Sequence, residues 1–125
     1  MTTRIAAVWI DHKEAKLFHI EPEGFDVRTI AAPYHYVARK ADEQGRHAGS
    51  ADYYQLVADA LKDASDILVV GPSSAKLDFI RHLHKHNHVI EAKVRGVETL
   101  DHPSDKQLAA YVRHYFVEHQ PHAST

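Results

Sequence analysis

Cysteine is absent from the 125 residues, so neither a disulfide framework nor a thiolate metal site can hold this chain together. The lack of cysteine fits a reducing, cytoplasmic setting. A net charge of only -2 gives no global positive field of the kind that DNA-binding proteins carry, and no DNA partner is expected. No apolar run approaches membrane-spanning length, and no membrane partner is expected. The first residues, MTTRIAAVWIDHKE, lack the pattern of a signal peptide. What is present is an apolar share of 44%, enough for one core, and twelve histidines, which make the net charge climb steeply as pH falls.

The organising stretch is DILVVGPSSAKLDFIRHL, Asp66 to Leu83. Ile67-Leu68-Val69-Val70 is short, β-branched and wholly apolar, which predicts a strand buried on both faces. Gly71-Pro72 ends it, because proline cannot donate to a ladder. Ser73 or Ser74 is then placed to cap a helix with Leu77, Ile80 and Leu83 inward and Phe79 at the margin.

Upstream, Arg4 to Ile10 is apolar on both alternating faces, a central strand. The short polar turn at Asp11-His12-Lys13-Glu14 implies an antiparallel hairpin with Ala15 to Ile20. Phe25 to Ala31 alternates as a third strand with one wet face. Residues 32–50 form a long irregular connection, and Ser50 opens a helix bearing Tyr54, Val57, Leu61 and Ala64. Val89 to Leu100 reads as a fifth strand, and Ser104 to Gln107 has capping-box form before a helix with Leu108, Tyr111, Val112 and Tyr115. The expected organisation is one domain over residues 1–117, with a frayed tail over 118–125.

The resulting order is β-β-β-α-β-α-β-α. It predicts a three-layer, ribonuclease-H-like α/β fold with a five-stranded mixed sheet in the order 3-2-1-4-5. The strand directions then gather four connections along one edge: Asp11-His12, residues 32–50, Gly71 to Ser74, and Asp101-His102. Ligands bind at such edges in open α/β sheets.

Four groups on that fold have chemical meaning. Gly71, Ser73, Ser74 and Lys76 form an anion-binding candidate at a helix start, or else an ordinary capped turn. Asp11, His12, Asp101 and His102 offer carboxylate and imidazole to a divalent metal; the alternative roles are hairpin and cap residues. His82 and His86, spaced i, i+4, suit adventitious metal chelation on a helix face, while His84 lies nearer the core side. Arg39, Lys40, Arg46, His47, Tyr34 and Tyr36 combine charge with rings, as unpaired RNA requires. No cofactor is implied beyond that divalent metal.

The segment ILVVGPSSAKLDFIRHL resembles the strand–GPG–Lys–Phe segment in the middle domain of archaeal and eukaryotic peptide-chain release factors and of Pelota, through Gly71, Pro72, Lys76 and Phe79. The chain also resembles a small bacterial "translational machinery protein" family, through VWIDHKEAKLFHI, VVGPSSAKLDFI and VETLDHPSDKQLAAYVRHYF. In release factors the loop before the first helix carries Gly-Gly-Gln. Here Glu43 to Ser50 lacks it, so the resemblance does not carry peptidyl-tRNA hydrolysis to this chain. Pelota's middle domain lacks the motif as well.

The resemblance therefore implies a non-enzymatic, translation-associated protein that binds the ribosome, ribosomal RNA or tRNA through the loop edge. Two alternatives stand beside it. One is a metal-dependent phosphodiesterase of ribonuclease-H-like type, whose acid set is incomplete here. The other is a homodimer or larger homo-oligomer joined through the edge strand and the tyrosine-bearing helices.

Overall fold

The computed structural model describes residues 4–32 and 50–119. Five strands form one sheet in the order β3-β2-β1-β4-β5. They are β1 (Ile5–Ile10), β2 (Glu14–Glu21), β3 (Gly24–Ala31), β4 (Asp66–Gly71) and β5 (Val94–Thr99). β1 pairs antiparallel with β2 and parallel with β4, and β4 pairs parallel with β5. The strand order is the one the sequence predicts, and the fold is the expected three-layer α/β arrangement.

The double-sided apolar strands divide the core as their alternation requires. Ala6, Val8, Ile10, Ile67 and Val69 face one layer, built by helices α1 (Ser50–Ala60) and α2 (Ala75–His86). Ala7, Trp9, Leu68 and Val70 face the other, built by α4 (Asp105–Glu118). α4 starts with the expected capping box: Ser104 Oγ accepts from the Gln107 amide, and the Gln107 side chain accepts from the Ser104 amide. It ends at Glu118, and the tail expected beyond it lies almost wholly outside the described residues.

Three local expectations are corrected. Val89 and Ile90 do not begin β5. Asn87 accepts from the Ile90 amide and caps a one-turn helix, α3 (His88–Glu91), and the strand starts only at Val94. β-Branching at Val89-Ile90 suggested a strand, but an asparagine cap outweighs so weak a preference.

The inward face of α2 is also rotated from the expected one. Ala75, Lys76, Phe79 and Leu83 are buried, while Leu77 is 45% exposed and Ile80 only half-buried. The phase shift turns His84 outward and His82 towards the protein.

Neither serine caps α2 with its side chain. Ser74 holds the cap position with helical dihedrals and makes no side-chain cap bond.

β5 carries an irregularity opposite the Ile67–Leu68 step, where Arg95 is left without a partner in the ladder. Its guanidinium Nε donates to Asp66 Oδ1 at 2.6 Å, and Ser65 Oγ holds the other Asp66 oxygen at 2.8 Å. Asp66 is buried, so this pairing supplies the counter-charge its position demands.

Candidate functional site at the strand-end rim

The ends of β1, β3, β4 and β5 lie on one rim, and hydrogen bonds tie the corners together. Trp9 Nε1 donates to the Asp101 carbonyl at 2.7 Å, joining the end of β1 to the segment after β5. The Ala32 amide donates to the Lys13 carbonyl at 2.8 Å, so the 32–50 connection departs beside the first hairpin. The Leu100 amide donates to the Gly71 carbonyl at 3.0 Å, which extends β4–β5 pairing to the bend. The gathering of connections predicted from strand direction is therefore present.

The rim has two separate sides. Asp11 Oδ1 accepts from the Lys13 and Glu14 amides at 2.8 and 2.9 Å, and its carbonyl accepts from the Tyr53 hydroxyl. That carboxylate serves the hairpin. His12 Nε2 lies 3.5 Å from Asp78 Oδ2 on α2. His102 sits on the other side, its ring centroid 5.0 Å from that of Trp9, with its Nδ1 2.9 Å from Asp101 Oδ1. The sheet thus stands between His12 and His102. Asp11, His12, Asp101 and His102 do not bring three ligand atoms together for a shared metal. Among the described residues the one group of three or more whose ligand atoms converge is elsewhere, at the end of α2.

The glycine–proline bend differs from a phosphate loop. Lys76 is buried, and its Nζ donates to the Ser73 carbonyl at 2.7 Å. Its charge closes the turn rather than projecting from it. Ser73 Oγ is enclosed without a hydrogen-bond partner. Ser74 leaves its own hydroxyl uncommitted to the helix start. Gly71 is required by close approach: a Cβ there would collide with the Ile10 carbonyl oxygen of the neighbouring strand.

Trp9, on a strand apolar on both faces, belongs to the core. The structure adds a second role, since the indole N–H of a buried tryptophan needs an acceptor and finds one in Asp101. Between this indole and the start of α4 lies a cavity of about 230 Å³. Trp9, Phe18 and Leu108 supply its apolar walls, and Lys16, His102 and Asp105 line its polar side. An indole donor at a strand end, which needs an acceptor when buried, is the signal in the sequence. Tyr53, Tyr54 and Tyr115 are buried, so they belong to the core and offer no surface to a second copy.

The charged and aromatic set Arg39, Lys40, Arg46, His47, Tyr34 and Tyr36 lies outside the described residues.

The His82 and His86 rings lie tilted against each other with centroids 4.8 Å apart, and His82 Nε2 meets Gln55 Oε1 at 3.1 Å. Burial, reinforced by the His86 charge, holds the His82 pKa below its ordinary 6.5. The unfolded chain then takes up a proton that the fold resists, so stability falls as pH drops below 6.5. Replacing His82 with glutamine is expected to flatten that part of the profile, measured by urea unfolding at several pH values. An unchanged pH slope would show that His82 contributes nothing to it.

Comparison with known proteins returns the fold class first. No family model matches the chain, and no curated protein matches it significantly. Solved structures do match. Pelota of Archaeoglobus fulgidus superposes over 95% of this chain with a TM-score of 0.70 at 16% identity, covering 33% of that protein. Pelota of Thermoplasma acidophilum gives 0.60 at 22% identity over 93% of this chain and 32% of its own. An archaeal translation termination factor gives 0.63 at 13% identity over 94% of this chain and 36% of its own. The chain thus spans about a third of each of these proteins and shares the fold of that third.

Proposed function

We propose that this chain is a translation-associated protein that binds the ribosome or structured RNA through the strand-end rim. The observation that carries the reading is the superposition of nearly the whole chain on termination-type factors, with all five strands in one sheet. The rim adds a physical reason. It frames the 32–50 connection, which carries Tyr34, Tyr36, Arg39, Lys40, Arg46 and His47. Cations neutralise phosphates and rings stack on unpaired bases, so this composition suits RNA despite the net charge of -2. The Asp11 carboxylate supports its own hairpin through Oδ1.

Co-sedimentation with ribosomes across a salt series tests this. Binding is expected at low salt and lost as salt rises. Alanine at Arg39, Lys40 and Arg46 together is expected to lower the log–log salt slope by roughly 2–3, one phosphate contact each. A wild-type chain that stays in the supernatant at low salt overturns the reading.

A further inference from the structure

The converging ligand group lies at the opposite pole from the rim, where α2 ends and the chain turns into α3. His84, His88 and Glu91 each present a ligand atom, and these atoms all lie within 4.8 Å of one another. The arrangement comes from local structure. Asn87 ends α2 and caps α3, which folds the four residues His88 to Glu91 back beside the last turn of α2. His84 Nδ1 then meets Glu91 Oε2 at 2.9 Å. His88 Nε2 donates to the His84 carbonyl at 2.6 Å, which orients the ring and leaves Nδ1 as the lone-pair nitrogen of the neutral imidazole. An imidazole steered by a backbone carbonyl is the usual state of a metal-bound histidine.

We propose that His84, His88 and Glu91 bind a zinc-class divalent cation that clamps α3 to the end of α2. Two imidazoles and one carboxylate match zinc, nickel or cobalt better than magnesium or calcium, which take oxygen donors. Three protein ligands leave a fourth tetrahedral position to solvent. On binding, the cation takes His84 Nδ1 and Glu91 Oε2 as ligands in place of their hydrogen bond, and the one ring proton of the neutral His84 imidazole then sits on Nε2, moved there through water. The opposing charge is Lys85, on the same last turn. Arg81 is already paired with Asp78. The His82–His86 pair is a separate site, two-coordinate and partly engaged by Gln55.

The test is calorimetric titration of zinc chloride into the tag-free full chain, with far-UV circular dichroism of every variant. One tight site per chain is expected, with any two-coordinate binding at His82–His86 weaker. His84→Ala should weaken it by more than about 100-fold, since losing even an outer hydrogen-bond partner costs about 10–100-fold. Glu91→Gln keeps shape and polarity and should still weaken it by at least about tenfold. His82→Ala/His86→Ala should leave that site in place. Cobalt(II) supplies a second reading: the visible band of a tetrahedral nitrogen–oxygen site appears in the wild type and not in Glu91→Gln. Zinc binding that is absent from the wild type, unmoved by Glu91→Gln, or abolished by the His82/His86 double variant overturns the proposal. The ribosome reading is untouched by any of these outcomes.

Discussion

Phe79→Ala is expected to lower the unfolding free energy by on the order of 3–5 kcal/mol, the range for emptying a fully buried phenylalanine site. Leu77→Ala, two residues away, is expected to cost about 1 kcal/mol at most, because much of that side chain already meets water. The contrast follows from the rotation of α2. Phe79 has no exposed surface and packs near Tyr54, with ring centroids 6.0 Å apart, whereas Leu77 is 45% exposed. Its removal leaves a cavity bounded by the sheet and α1, and a close-packed interior closes such voids only in part. Urea unfolding of both variants decides the matter. Equal costs would mean that α2 presents Leu77 inward after all.

Gly71→Ala is expected to cost about 3 kcal/mol, at the upper end for overpacking. The colliding atom is the Ile10 carbonyl oxygen, part of the backbone of β1, so no side-chain rotation can relieve it. β1 and β4 are the central parallel pair, and separating them disturbs both apolar layers at once. Gly24→Ala is the control: a Cβ there meets nothing within 4 Å, and its effect should stay within about 0.5 kcal/mol. Thermal unfolding of the two variants should separate them clearly. A Gly71→Ala chain as stable as the wild type would mean that the β1–β4 spacing is wrong.

The consequences reach the rim. Gly71, Trp9 and Ala32 set the distances between its corners, through a close backbone approach and two long-range hydrogen bonds. A chain that loses the β1–β4 spacing should therefore lose ribosome binding together with stability, while the alanine variants at Arg39, Lys40 and Arg46 should lose binding alone.

Two stripes on α2 satisfy a helical repeat: Leu77, Ile80 and Leu83, or Ala75, Phe79 and Leu83. The first looks more apolar because the second includes the neighbouring Lys76, whose stem is buried and whose ammonium finds the Ser73 carbonyl. Periodicity counts residue types and has no knowledge of that carbonyl. The same rotation moved His84 to the surface, where it meets Glu91, and so the three-ligand corner was hidden behind the more visible His82–His86 spacing. β-Branching at Val89-Ile90 favours a strand, while the cap that makes the segment helical, Asn87, sits two residues before Val89 among histidines.

Within the amino-acid sequence itself lie the number, type and order of the strands. Each strand face is written in its alternation, and the lengths of the connections select antiparallel or parallel neighbours. Those are local signals, strong because burial of apolar area rewards every residue of the pattern alike. Tertiary structure alone decided which side of α2 turns inward, which partner each charged group takes, and on which side of the sheet His12 and His102 stand. Those outcomes depend on the geometry of individual polar contacts, near in the chain as for Lys76 and Ser73 or distant as for His12 and Asp78, and residue types alone do not carry that geometry.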